Sequence, residues 1–135
     1  MCISNVMTEK EMKEYLDKKP DVITAWKVFR KEKDGTLRSL YAAPGWTYKY
    51  GVNKHREGNH DKRLHLWQSH PNVDSAGFHC FAARRDAREW CCSCSWSEVI
   101  RKVLIKKKDI KNVGEAWGRA TYIATQIDIV EGSRG

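Results

Sequence analysis

The chain has 135 residues, of which 41% are hydrophobic and 31% are charged, and its 25 lysines and arginines against 17 acids give a net charge of +8. This size and composition predict one globular domain over residues 1–135, and they exclude fibrous proteins and large multidomain enzymes. No uncharged run approaches the roughly 18 residues of a membrane helix, and no secretory signal begins the chain, so we expect a cytoplasmic protein that contacts no membrane.

The first elements are a helix and a strand. Residues 1–20 are assigned to an N-terminal helical segment, because Thr8 and Glu11 have the spacing of a capping box. Pro20 ends that pattern. Residues 22–31 are rich in branched and aromatic side chains on both alternating faces, which predicts an inner strand.

A hairpin and a third strand follow. Asp34-Gly35 is typical of a tight hairpin turn, so residues 37–42 are predicted to return as the second strand. Aromatic residues alternate with polar ones over residues 46–50, which predicts the third strand.

Residues 51–76 are predicted to form a long polar loop that is rich in histidine. Its histidines recur every five residues. Residues at this spacing do not share one face of a helix or of a strand. We therefore expect no row of ligands from this period. Loops of this length are uncommon in small domains and often carry function.

The C-terminal half is predicted to alternate between strands and short helices. Apolar patterns predict strands over residues 77–82, 99–107 and 122–130. Good helix formers predict a helix over residues 83–90 and a brief one over residues 115–120.

These elements give the expected fold class. About six strands and two or three short helices predict an α+β fold, with a curved antiparallel or mixed sheet and the helices on one side. Residues 132–135 are expected to form a frayed tail.

The cysteines do not match a metal site. Zinc sites usually combine two C-x2-C pairs, whereas this chain has adjacent cysteines and a C-x-C spacing. An odd number of cysteines also argues against a secreted disulfide framework. We expect no bound metal and no cofactor from these five residues: Cys2, Cys80, Cys91, Cys92 and Cys94.

Positive charge is concentrated in one part of the chain. Nine basic residues and four acids lie between Arg84 and Lys111. Clustered cations beside aromatic rings are typical of surfaces that bind phosphates and stack bases. The other interpretation is a solvated surface with the aromatic rings in the core. The candidate ligand-binding residues are Trp46, Tyr48, Lys49, His79, Arg84, Arg85 and Arg88.

Several short motifs follow one another in a characteristic order. They are Ala25-Trp26-Lys27-Val28, Gly45-Trp46-Thr47-Tyr48, Gly77-Phe78-His79-Cys80-Phe81 and Ile127-Asp128-Ile129. This order resembles a family of small phage and prophage proteins of unknown function, and the resemblance covers about residues 26–131. It implies a phage-like origin and a fold plan, and small accessory phage proteins often act by binding and blocking host machinery. Together with the clustered cations, this leads us to expect a non-enzymatic accessory protein that acts in the host cytoplasm. The expected partner is anionic, namely a nucleic acid, a nucleotide signal or an acidic host protein, and binding would block host defence.

Two alternatives remain open at this point. The order of strands faintly resembles the second half of an ADP-ribosyltransferase, which would act on a host target and carry no catalytic signature here. Its candidate residues would be Arg30 or His79, Tyr48, and Glu115 or Glu131. The second alternative is a protein–protein inhibitor without nucleic-acid contact, for which clustered tryptophan and arginine are typical interface residues.

Overall fold

A computed structural model describes residues 5–38, 47–54, 77–91, 98–116 and 118–131. These ranges contain two α-helices, one short 3-10 helix over Lys107–Asp109, and nine strands of one sheet. The helices are α1 (Glu9–Asp17) and α2 (Arg84–Cys91). The strands are β1 (Val22–Lys31), β2 (Leu37–Arg38), β3 (Thr47–Tyr48), β4 (Gly51–Lys54), β5 (Phe78–Phe81), β6 (Glu98–Lys106), β7 (Ile110–Ala116), β8 (Arg119–Ala124) and β9 (Gln126–Ile129).

The sheet is antiparallel throughout the described residues. Its strand order is β4-β9-β6-β1-β5-β8-β7, and β2 pairs with both β1 and β3. The central pair is formed by β1 and β6, in register from Val22 opposite Lys106 to Arg30 opposite Glu98. Strand β1 occupies the middle because buried residues lie on both of its faces.

The two faces of the sheet carry separate cores. The face that bears Ile23, Ala25 and Phe29 of β1 is covered in part by α1, and we call it the α1 face. The opposite face bears Trp26 and Val28, is covered in part by α2, and is called the α2 face. The helices therefore lie on opposite sides of the sheet, and the expectation that they share one side is wrong.

Helix α1 begins with the predicted capping box. The Glu11 backbone N–H donates to Thr8 Oγ1 at 3.2 Å, and the Thr8 N–H donates to Glu11 Oε1 at 3.0 Å. The Tyr15 and Tyr122 hydroxyls lie 3.0 Å apart and connect the helix to β8. Just before the helix, the Met7 N–H donates to the Val113 carbonyl of β7 at 2.8 Å.

The α+β class is confirmed, but the sheet has nine strands in the described residues instead of about six. The first four residues of the predicted polar loop form β4, which pairs with β9. The predicted strand over residues 122–130 is interrupted at Thr125, so that β8 and β9 pair with different neighbours. In place of the brief helix over residues 115–120, β7 and β8 form a hairpin, and Gly118 supplies the positive φ of its turn at 76°.

Other predictions fall outside the described residues. They include most of the polar loop, the tail over residues 132–135, and Trp46. Within the described ranges, no helix has the length and apolar character that crossing a membrane requires.

Candidate anion-binding surface

Helix α2 divides its charges between two flanks. Ala87 is fully buried against the sheet and sets the orientation of the helix. Each residue of an α-helix is rotated by about 100° from the previous one. Arg84 and Arg88 therefore lie on one side of Ala87, whereas Asp86 lies on the other side, next to Glu89.

The acidic flank is partly neutralised by an arginine of the sheet. Arg119 of β8 donates from Nη2 to Glu89 Oε2 at 3.0 Å, and its Nε lies 3.9 Å from Asp86 Oδ1. The arginines of the other flank consequently dominate the charge of the helix where it meets β1.

Arg84 stacks on the aromatic ring of Trp26. The guanidinium carbon of Arg84 lies 5.7 Å from the centre of the Trp26 ring. A guanidinium held over a ring is partly oriented before any ligand arrives, and it presents a planar set of N–H donors suited to phosphate or carboxylate. Trp26 itself stands directly opposite Lys102 of β6, so a second cation lies beside the stacked pair.

The cations continue along β6 on the same face. Leu104 is opposite Thr24 and Lys106 is opposite Val22 in the register of β1 and β6. Side chains two residues apart on a strand share a face, so Lys102 and Lys106 both belong to the α2 face. Val22 is 45% exposed, which shows that this end of the face is accessible.

We call this surface the basic strip. Its members lie on the α2 face or on the adjoining flank of α2, and they are Trp26, Arg84, Arg88, Lys102 and Lys106. Two acids share the face: Asp128 of β9 is opposite Leu104, and Glu98 of β6 is opposite Arg30. Over the described residues, the four cations of the strip outnumber these two acids, so its net charge is positive.

The structure brings only some of the predicted site residues to the strip. Arg84 and Arg88 belong to it, and Arg85 is exposed on the outer side of the same helix. His79 is half-buried on the α2 face of β5, directly opposite Ile123. Lys49 is exposed in the turn between β3 and β4, where its backbone bonds to the Asn53 side chain.

Tyr48 lies elsewhere. Its ring is half-buried on the α1 face and makes edge contacts with Phe29, at 5.2 Å between ring centres, and with Phe78, at 5.7 Å. The alternation of aromatic and polar residues over 46–50 predicted a strand with one aromatic face. In the structure Tyr48 packs on the α1 face, whereas Arg84 lies on the opposite side of the sheet. Trp46, the other predicted stacking residue, lies outside the described residues.

The strip includes three residues that were not among the predicted ligands. Trp26, Lys102 and Lys106 occupy it because β1 and β6 pair along nine residues. The alternation of lysines with buried apolar residues in β6 was a usable signal for a basic face. Pairing between two strands this far apart in sequence was not visible in either strand alone.

The residues proposed for an ADP-ribosyltransferase do not converge in the described residues. Tyr48 and His79 lie on opposite faces of the sheet. Glu115 accepts a hydrogen bond from the Asn5 side chain at 2.9 Å.

Cys80, next to His79, has the properties of a structural thiol. It is fully buried, and burial raises the pKa of its thiol to about 11, against the smaller opposing effect of Lys27. A thiol with this pKa is protonated at neutral pH and is a poor nucleophile. In the described ranges, no three His, Cys, Asp or Glu side chains are grouped so that they could hold a metal ion.

No protein-family model, no curated protein and no solved structure matches this chain. The resemblance to small phage proteins therefore stays a prediction.

Proposed function

We propose that this protein binds an anionic partner, a single-stranded nucleic acid, through the basic strip. The observation that carries the proposal is the Arg84 guanidinium stacked on Trp26 beside Lys102. In this arrangement a guanidinium and an ammonium belong to the same face of the sheet, and both kinds of cation bind phosphate oxygens.

The linear arrangement of the cations favours a polymer over a single nucleotide. Lys102 and Lys106 are four residues apart on one strand, which corresponds to about 13 Å at the usual rise of a strand. Arg84 and Arg88 extend the row onto the helix. A nucleic-acid strand carries a phosphate at every nucleotide and can contact several of these cations at once. A mononucleotide or a short acidic peptide would use only part of the row.

The binding reaction is measurable by fluorescence anisotropy with a labelled single-stranded oligonucleotide. Four phosphate contacts predict that log affinity falls with log salt at a slope of about −3, or about 50-fold between 50 and 200 mM salt. Replacing Arg84 and Lys102 together by alanine is expected to halve that slope, leaving a fall of about sevenfold over the same range.

A matched control separates the strip from net charge. Lys13 on α1 and Lys33 in the β1–β2 hairpin are exposed and lie off the α2 face. Their double alanine variant has the same net charge as the strip variant and should retain the wild-type slope. Equal loss in both variants, or no binding by the wild type at low salt, refutes the proposal.

The biological role that we propose is that of a phage-type accessory protein, whose binding of nucleic acid blocks host defence. The support for this role is the order of short motifs and the cationic surface, and its test is protection of an infecting phage in cells that carry a defence system. The strip variant should lose protection, whereas the Lys13 and Lys33 variant should keep it.

A further inference from the structure

Asp128 lies on the α2 face in the middle of a row of side chains that crosses four strands. It is directly opposite Leu104 of β6 on one side and Val52 of β4 on the other. Leu104 is in turn opposite Thr24 of β1, and side chains opposite each other in a sheet share a face. Val52 is 47% exposed, Thr24 is also exposed, and Asp128 and Leu104 are half-buried. A ligand on this face can therefore reach the row.

Lysines surround Asp128 at the diagonal positions of the sheet. Lys102 and Lys106 flank the residue opposite it on β6, and Lys54 is two positions after the residue opposite it on β4. Diagonal neighbours are about 7–8 Å apart, which long side chains can span. Lys102 and Lys106 belong to the basic strip, so the carboxylate lies within the area that a ligand of the strip would cover.

The Asp128 carboxylate has no partner within the described ranges. No ion pair and no side-chain hydrogen bond joins it to another residue there. An ionised carboxylate accepts hydrogen bonds through two oxygens and donates none. It also repels phosphate groups, so its position among the lysines weakens the binding of a polyanion unless the ligand brings hydrogen-bond donors to it.

The bases of a single strand differ in the donors that they can offer to a carboxylate. The Watson–Crick edge of guanine has two adjacent donors, the ring N–H and the exocyclic amino group, which match the two oxygens of one carboxylate. In adenine and cytosine the amino group lies beside a ring nitrogen that accepts. In thymine two carbonyl oxygens flank the ring N–H. Those acceptors repel a carboxylate, so guanine is the base that pairs with it in a bidentate manner.

We propose that Asp128 selects guanine in the single-stranded nucleic acid that binds the basic strip, and this inference rests on the function proposed above. The guanine edge donates to both carboxylate oxygens of Asp128, and the base contacts the apolar side chains of Leu104 and Val52 on either side. Lys102 and Lys106 bind the neighbouring phosphates. The phosphate contacts position the strand, and the contact with the base specifies it.

The test is fluorescence anisotropy with two labelled strands of about twelve nucleotides. One strand contains thymine throughout, and in the other isolated thymines are replaced by guanine, spaced so that no quadruplex forms. The wild type should bind the guanine strand about tenfold more tightly. Asp128→Asn should bind both strands equally, because an amide offers one acceptor in place of two. It should also bind the thymine strand more tightly than the wild type does, because the repulsion of phosphate is removed.

A matched variant and a modified base serve as controls. Glu14→Gln removes one acidic charge from an exposed position of α1, on the other side of the sheet, and should keep the preference for guanine. Hypoxanthine in place of guanine keeps the ring N–H and lacks the amino group. With this strand the preference of the wild type should fall to about threefold, a measurement that does not depend on the folding of a variant.

The outcomes distinguish the selection of guanine from the function of the strip. Equal affinity of the wild type for the two strands, with a salt slope that still depends on Arg84 and Lys102, overturns the selection and leaves the function in place. A preference that persists in Asp128→Asn, or that is unchanged with hypoxanthine, also overturns the selection. If the wild type binds neither strand at low salt, both proposals are refuted.

Discussion

Gly77 precedes β5 at a point where the backbone leaves no room for a side chain. Its φ is +144°, and a Cβ added there would lie 2.8 Å from the Ala124 carbonyl oxygen and 2.8 Å from Ile123 Cγ2. Both contacts belong to β8, the strand that pairs with β5. An alanine at this position must therefore adopt an unfavourable backbone conformation and also push β8 away.

The cost of Gly77→Ala can be worked from these two effects. A non-glycine residue at positive φ costs about 1–2 kcal/mol, and forcing a methyl group into a packed contact costs about 1–3 kcal/mol. Together they predict a loss of about 3 kcal/mol. Gly118→Ala is the matched control, because its φ of +76° is also positive but its Cβ would meet nothing within 4 Å. Only the backbone effect applies there, which predicts a loss of about 1 kcal/mol.

Equilibrium unfolding in urea, followed by tryptophan fluorescence, measures both values. We take the free energy of unfolding to fall by about 1.5 kcal/mol per molar urea. The urea concentration at the midpoint should then be about 2 M lower than in the wild type for the Gly77 variant, and less than about 1 M lower for the Gly118 variant. Neither variant should change the dependence of the free energy of unfolding on urea concentration. Equal losses in the two variants would refute the reasoning, because they would show that contact with β8 adds nothing to the backbone cost.

Two other predictions concern the capping box and the buried thiol. Hydrogen bonds from Thr8 lower the pKa of the Glu11 carboxyl in the folded protein. The ionised carboxylate therefore stabilises the fold at pH values above its pKa in the unfolded chain. This stabilisation is lost as the pH falls through the pKa of the folded state. Thr8→Ala should lower the free energy of unfolding in urea by about 1 kcal/mol at pH 7. It should also weaken the decrease of this free energy in acid, and an unchanged decrease would contradict the role of the capping box. Cys80 should resist alkylation by iodoacetamide at pH 8 in the folded protein and react after unfolding, as mapped by mass spectrometry; rapid reaction in the folded state would be inconsistent with its burial.

Local elements were predictable because their signals lie within a few residues. The capping box of α1 depends on two residues three positions apart, and β1 has the predicted bounds Val22–Lys31. The Asp34-Gly35 turn also forms as predicted: Gly35 has a φ of +90°, and the Thr36 N–H donates to Asp34 Oδ1 at 2.9 Å. In each case the chemistry of neighbouring side chains decides the backbone conformation.

Strand pairing was less predictable, because it depends on contacts between distant parts of the chain. The sequence around Thr125 predicted one long strand, because apolar residues alternate with other residues both before and after Thr125. In the fold β8 pairs with β5 and β7, whereas β9 pairs with β4 and β6, so the chain changes neighbours at that residue. No pattern within a single segment specifies such a change of partner.

The candidate site shows the same division. The basic character of α2 and β6 was visible in the sequence, and Arg84 and Arg88 belong to the resulting surface. The position of Trp26 under Arg84 required the packing of α2 on β1. The pairing of Trp26 with Lys102 required the register of β1 and β6, which only the folded sheet specifies.

Among the described residues, β7 is the last strand of the sheet, and it is seven residues long. Such a strand exposes backbone donors and acceptors that recruit strands of other molecules. Here the segment before α1 lies along it, since Met7 bonds to Val113 and Asn5 bonds to Glu115. Residues 5–7 thus cover part of this edge, and a chain without them is expected to form intermolecular β-structure and to aggregate at concentrations where the full chain stays dispersed.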